Sequence, residues 1–598
     1  MNFFMTGGSS FKANVDISLI TPAGSHGANF SADGQTLPQS LSIAREVFSR
    51  VEVGKIDFVL IGLEPDVLFQ GGTVDENLDA LIEYVKLCAS SGSKAVCVIL
   101  PVAPNVRVHV RRKFVTPLRE ILSALKDLCD FTTVDLFDLP MPENYFVDET
   151  LTSDGAAAVS TILAFELYER KIFTFAELRR MNYGFFYRLS FCLTPKIFHE
   201  LMDKIFRATI DELKRKDRIK IAFVTDHADV WCGDDLYNMF ANNPRFEPTI
   251  FLCLAKVDST VSTMAKEISH GVEQFKARGL NVVAVFDENE EIPPQDLVIF
   301  LRPYDEFLPK SFRSDALMSR TLTAYIHYGC ETTVLNYYKY PMFRVAWKSF
   351  FDGELTRKLF DTQCRIGMPV AHASGLPKMD VFFDAAKFSF PWKMTRPDAK
   401  KIIWAPHWSI ADEKSPGLYG TFRHNFRFMY EFAKNHPETS WVVKPHPLLP
   451  RYVLETGLFP SAEAFEDYLR AWNNLPNALV FTGAYYQDIF ATSDGMIHDS
   501  CSFIAEYQYT HKPMIFLTRP EQSNLTELGE RILDVSYRVD GRDLEKIAAL
   551  MQKVFIEGND PLKDARQKVF DELLNYRRVN GISASEYIFH AIADELGA

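Results

Sequence analysis

Four polar clusters carry the side chains that could do chemistry, and each follows an apolar run. IIWA leads into Pro406-His407, and WVV leads into Lys444-Pro445-His446-Pro447. GMI leads into His498-Asp499-Ser500, with Ser502 and Glu506 close behind, and PMIFLT leads into Arg519. Such runs read as buried strands, and open α/β sheets bind ligands at the carboxyl ends of their strands. Lysine, histidine and small hydroxyl residues there suit a phosphate: charge, hydrogen-bond donors and room for close approach. Asp499, Ser500 and Ser502 stand where a helix would begin, and free N–H groups at a helix start favour anions. Glu506 lies one turn beyond Ser502 on the same face, where it could accept hydrogen bonds from a ribose. Asp499 fits poorly beside a phosphate and is assigned to capping or to orienting a neighbouring histidine. Pro445 and Pro447 fix φ and stiffen their turn. His327, in TLTAYIHYGCE, and His407 are candidate proton acceptors if their pKa values lie near neutral. The plain alternatives are helix caps at 499–502, a solvated turn at 444–447 and satisfied core histidines.

These clusters need α/β layers to hold them. From residue 1 to 170, IDFVLIGL, KAVCVILPV and FTTVDLF read as parallel strands separated by helices. Residues 171–216 are helical and aromatic and read as a connector. A second α/β block opens at IKIAFVTDHADVW, with PTIFLCLA, LNVVAVFD and DLVIFLRP as further strands. A third opens near Lys400 with KKIIWAPH, then WVVKPHP, ALVFTG, DGMIHDS and PMIFLTRP. Residues 543–598 read as consecutive helices. The expected domains are 1–170, the 171–216 connector, a lobe at 217–392 and a lobe with a helical tail at 393–598.

Composition narrows the classes. The 598 residues carry a net charge of −13, which argues against nucleic-acid binding by a basic surface. The nine cysteines form no CxxC pair and read as reduced thiols of a cytosolic protein. MNFFMTGGSS lacks the charged and apolar regions of a signal peptide. No run approaches the ~20 apolar residues of a membrane span. A cytoplasmic protein is expected, reaching the inner membrane face through its acceptor or a capsule-assembly complex. No dense His/Cys/Asp cluster has metal spacing, and no cofactor is expected.

Taken in order, IIWAPHWS, the loop Gly420-Thr421-Phe422, WVVKPHPLL and SDGMIHDSCSFIAEYQYTHKPMIFL resemble the CDP-glycerol glycerophosphotransferase family, which builds teichoic acids and capsular polymers. TLTAYIHYGCE and ASGLPKMD are similar to its inter-lobe segments. The resemblance covers roughly residues 219–596. It implies a GT-B fold of two Rossmann-like lobes, a CDP-linked donor, a glycan or lipid-linked glycan acceptor, and phosphopolyol transfer without a required metal. The family's Asp-Tyr-Ser-Ser turn is Asp499-Ser500-Cys501-Ser502 here, its acidic residue matches Glu506, and its histidine base matches His327 in Tyr-Ile-His-Tyr-Gly. The implied roles are His327, His407 and His446 in catalysis, with Lys444, Ser500, Ser502, Glu506 and Arg519 on the donor.

The first block is similar to SGNH-hydrolase domains of surface-polymer acylation proteins. That likeness implies a flavodoxin-type sheet, Ser10 as nucleophile, and N–H groups at Ser10 and Gly34 as oxyanion hole. Asp148 stands where that family has Asp-x-x-His, but no histidine follows it, so a catalytically silent scaffold or acceptor-binding module is expected. Other readings stay open: a nucleotide-sugar glycosyltransferase, an acyl esterase or acyltransferase using Ser10, or a silent assembly protein.

Overall fold

A computed structural model describes residues 2–598 except 8–14, 23–24, 33–34, 53, 64–72, 102–106, 128, 140–145, 148–149, 182–183, 229–230, 232, 254–260, 288, 319, 334–339, 365–369, 385–387, 412–417 and 484. The chain forms two compact units. One comprises residues 1–207 with 314–320, and the other 208–313 with 321–598.

The first unit is built on five parallel strands: β1 (Asn2–Thr6), β2 (His26–Asn29), β3 (Phe58–Leu63), β4 (Lys94–Ile99) and β5 (Thr132–Asp135). Their spatial order is β2-β1-β3-β4-β5, the flavodoxin-type arrangement. β3 and β4 are apolar and almost wholly buried because helices cover a parallel sheet on its faces. Tyr84 reaches the end of β1, where its hydroxyl meets Thr6 Oγ1 at 2.8 Å. A two-residue pair, β6 (Phe146–Val147) with β7 (Thr150–Leu151), precedes the buried helix Ser153–Glu169. Helices Phe175–Leu178, Phe185–Cys192 and Pro195–Leu213 fill the expected connector. Ser10, Gly34 and Asp148 lie outside the described residues.

The second unit holds two parallel sheets. One uses β8 (Ile219–Thr225), β9 (Phe246–Cys253), β10 (Val282–Val285), β11 (Leu297–Phe300), β12 (Leu322–Ile326), β13 (Lys348–Phe351) and β14 (Ala371–Ala373). Its order is β10-β9-β8-β11-β12-β13-β14. The other uses β15 (Lys400–Ala405), β16 (Thr439–Val443), β17 (Ala478–Val480), β18 (Gly495–His498), β19 (Met514–Thr518) and β20 (Tyr537–Asp540), ordered β17-β16-β15-β18-β19-β20. Both orders run outward from a first strand and then reverse, which is the doubly wound Rossmann pattern. In the last sheet, Ile403, Val442, Met496 and Phe516 enter one core. Alternate residues Ile402, Trp404, Trp441, Val443, Ile497 and Ile515 enter the other. Burial on both faces explains why these strands read as continuous apolar runs.

The tail is helical, as its sequence predicts. Asp380 fastens it, accepting from Tyr576 Oη at 2.7 Å and from the Ala584 and Ser585 amides at 2.8 and 2.9 Å. Among the described residues, no helix is long and apolar enough to cross a membrane.

Candidate functional site: a cavity at a topological switch point

In the last sheet the strand order reverses between β15 and β18, so their carboxyl ends diverge and leave a crevice. Asp499 bridges that crevice. Its Oδ1 accepts the His407 N–H at 2.6 Å, and its Oδ2 accepts the Thr421 N–H at 2.5 Å and the Thr421 hydroxyl at 2.8 Å. Burial pushes its carboxyl up to about 6, against the lowering effect of those amides. Gly541 permits this clasp, since a Cβ there would stand 2.4 Å from Thr421 Cβ. Asp499 is therefore not a cap, as one sequence expectation had it. It orients His407 through that residue's backbone. The helix Cys501–Glu506 takes Ser500 as N-cap, without a side-chain capping bond.

Three neighbouring strands lead to a histidine with the same local turn: His407 after β15, His446 after β16 and His498 at the end of β18. Ring Nδ1 of His407 accepts from the Ser409 N–H at 3.3 Å, that of His446 from Leu448 at 3.1 Å, and that of His498 from Ser500 at 3.1 Å. Each bond spans two residues, and each assigns the remaining proton of the neutral ring to Nε2. The Ser409 hydroxyl reinforces the first at 2.7 Å while receiving the Tyr419 and Gly420 amides at 2.9 and 3.2 Å. Burial drives all three pKa values down. His446 falls to about 4, with Lys444 contributing, and His498 to about 3. His407 lies well below the ordinary value, pressed further by its two histidine neighbours. The His407 and His446 rings stand 5.1 Å apart.

A cavity of about 230 Å³ opens at this edge. Lys444, His446, Ser500, Ser502 and Glu506, all singled out from the sequence, line it together. Lys444 is held by a 2.9 Å bond to the Gly483 carbonyl, with the Phe481 and Tyr486 rings 5.3 and 5.5 Å away. Glu506 is 1% exposed. Its Oε1 meets Lys378 Nζ at 2.5 Å and its Oε2 receives the Tyr486 hydroxyl. Tyr328 and Gly329, which follow β12, and Lys378, which follows β14, come from the β8–β14 sheet, so the cavity lies between the two sheets of the second unit. Lys378 and Tyr486 were missed by sequence reasoning. Lys378 sits inside ASGLPKMD, and a lone lysine in a loop gives no pattern to read.

His327, at the end of β12, does not line the cavity. It is buried between carboxylates, with Nε2 3.3 Å from Glu331 and Nδ1 3.4 Å from Asp352. Burial alone would lower its pKa, but the two carboxylates outweigh that and raise it to about 9. The expectation of a near-neutral base thus fails for both named histidines. His327 is held protonated by its neighbours, and His407 is held neutral with its free lone pair already used. Arg519 is also placed elsewhere: its Nη1 lies 3.2 Å from the Gly420 carbonyl and 3.4 Å from those of Ser409 and Ala411. It pins the loop behind His407.

No family model matches the chain. No curated protein matches it either. Among solved structures, the chain is similar to the wall teichoic acid polymerase TagF at 13% identity, covering 66% of this chain and 93% of that one, with a TM-score of 0.42. A UDP-GlcNAc 2-epimerase from Neisseria meningitidis bound to UDP-GlcNAc gives 12% identity over 63% and 100% of the two chains, TM-score 0.41. The S. aureus MnaA–UDP structure gives 12% over 63% and 97%, TM-score 0.40.

Proposed function

We propose that the second unit is a transferase that takes a phosphopolyol such as glycerol phosphate from a CDP-linked donor and places it on a glycan hydroxyl. The observation that carries this reading is the cavity edge: Lys444 supplies a fixed charge, His446 a neutral Nε2–H donor, and Ser500 and Ser502 leave room beside them. That set suits a diphosphate. Glu506, anchored by Lys378 and Tyr486 at the cavity wall, keeps lone pairs for the hydroxyls of a ribose.

In the reaction, the acceptor hydroxyl oxygen attacks the β-phosphorus. The bond from that phosphorus to the bridging oxygen breaks, CMP leaves with the electron pair, and the hydroxyl proton is released. Such transfers depend mainly on positioning and on stabilising charge at the phosphoryl oxygens. Lys444 and His446 supply that stabilisation, and their rigid anchoring means little reorganisation during reaction. Recruitment to a surface-polymer assembly at the membrane belongs to the same proposal, through the acceptor.

Calorimetric titration of the full chain with CMP, CDP-glycerol, UDP and UDP-sugars tests it. Selective cytidine binding that is lost in Glu506→Ala is the expected result. A preference for uridine nucleotides would move the reading to a glycosyltransferase, and no nucleotide binding would overturn it.

A further inference from the structure

Beside the first cavity lies a larger one of about 490 Å³. Trp231, Lys378, Tyr485 and Gln487 line both, so the two chambers share a wall. Lys378 reaches that wall from the segment Pro377–Phe382 and is tied to Glu506 in the first chamber.

The charges of the second chamber are unevenly satisfied. Arg278 Nη1 is committed to Asp234, 2.9 and 3.0 Å from its two oxygens, and Trp231 Nε1 donates to Asp234 as well. The Lys378 charge is committed to Glu506. Among the described residues, the Asp488 carboxylate accepts a backbone N–H, from Ser389 at 3.3 Å. Asp235 has no hydrogen bond or ion pair among the described residues. Partial burial and the nearby carboxylates of Asp380, Asp234 and Asp384 raise its pKa. The chamber therefore has a negative balance that repels polyanions.

One polar group there is left for a ligand: Asp235, an exposed acceptor without a partner among the described residues. Tyr485, 45% exposed, adds an aromatic surface braced by the Arg278 guanidinium 5.0 Å from its ring centre. A vacant acceptor beside an aromatic ring complements a molecule whose hydroxyls donate hydrogen bonds and whose C–H faces are apolar.

We propose that this second chamber holds the acceptor and that the acceptor end is a neutral, hydroxyl-rich saccharide, not a polyanionic phosphodiester chain. The proposal rests on the transferase reading for the word acceptor, but its binding claim stands on the chamber alone. A saccharide seated there would present a hydroxyl at the shared wall, beside the donor's phosphates.

The test is saturation-transfer NMR on the full chain. The probes are neutral oligosaccharides of glucose, galactose and N-acetylglucosamine, and poly(glycerol phosphate), with CMP titrated in parallel. At least one neutral probe is expected to bind, with poly(glycerol phosphate) bound at least tenfold more weakly. Asp235→Asn should weaken the saccharide about tenfold and leave CMP affinity unchanged, which also shows the variant is folded. Tyr485→Ala should act in the same direction. Equal or tighter binding of the polyanion, absence of binding by every neutral probe, or indifference to Asp235→Asn would overturn the proposal. Saccharide binding without CMP binding would support the chamber while the donor reading failed. CMP binding without saccharide binding would do the reverse.

Discussion

The two sheets of the second unit share a strand order and differ at the point where that order reverses. In the β8–β14 sheet, the ends of β8 and β11 are joined by a buried ion pair, Arg302 Nη1 to Asp226 Oδ2 at 2.6 Å. Farther along that edge, His327 is charged between Glu331 and Asp352. In the β15–β20 sheet, Asp499 spans the gap with backbone amides, and the histidines are neutral donors. One edge pairs its charges internally. The other presents Lys444 and His446 to the cavity, the proposed seat of a diphosphate. Equivalent topology therefore does not make equivalent sites. The side chains at the strand ends decide which edge pairs its own charges and which lines a cavity.

The largest expected effect breaks the closed edge. Asp352→Asn removes one partner of a buried charged pair and should cost roughly 3–5 kcal/mol in denaturant unfolding at pH 7. His327 has a raised pKa, so its pairing contributes fully below about pH 6.5 and is lost as pH rises through about 9. The variant's deficit should thus shrink above pH 9. A deficit constant from pH 6 to 10 would contradict a charged His327.

Next comes the open edge. Lys444→Ala should weaken CMP by ~30-fold or more, about 2 kcal/mol for a hydrogen bond to a charged group. The double variant Asp226→Leu/Arg302→Met should leave CMP affinity within about twofold. Replacement of a buried pair by well-packed apolar residues of similar volume is often neutral or stabilising by ~1–4 kcal/mol. Isothermal titration of both variants separates the two edges directly.

A smaller effect appears in acid. His446 and His498 have lowered pKa values, so stability is full above about pH 6.5 and is lost as pH falls toward about 4 and 3. His498→Asn should flatten that acid limb by on the order of 1–2 kcal/mol, because it removes one proton uptake on unfolding. The smallest effect is Arg519→Lys. It loses planar contacts to three carbonyls, costs about 1 kcal/mol in stability and leaves nucleotide affinity unchanged.

The strands that carry the cavity were legible because burial on both faces makes them uninterrupted apolar runs, as in IIWA and WVV. Others were not. β14 has only Ala371–Ala373, β13 is Lys348–Phe351, and β2 reads His-Gly-Ala-Asn, so their pairing comes from neighbours and not from their own pattern. Within the site, Lys444, His446, Ser500, Ser502 and Glu506 were legible as polar residues closing apolar runs or opening the next helix. The protonation states were not. Whether a histidine is charged depends on carboxylates such as Asp352, which is distant from His327 in sequence, and on amides two residues away. Lys378 and Tyr486 come together around Glu506 only through the fold.

The most direct test of the account is imidazole nitrogen NMR of the full chain between pH 6 and 8, with and without CMP. The account predicts His446 neutral with its proton on Nε2 and that resonance moved by CMP, while His327 stays doubly protonated and unmoved. A His446 that titrates near pH 6.5, or a CMP response at His327 and none at His446, would contradict it.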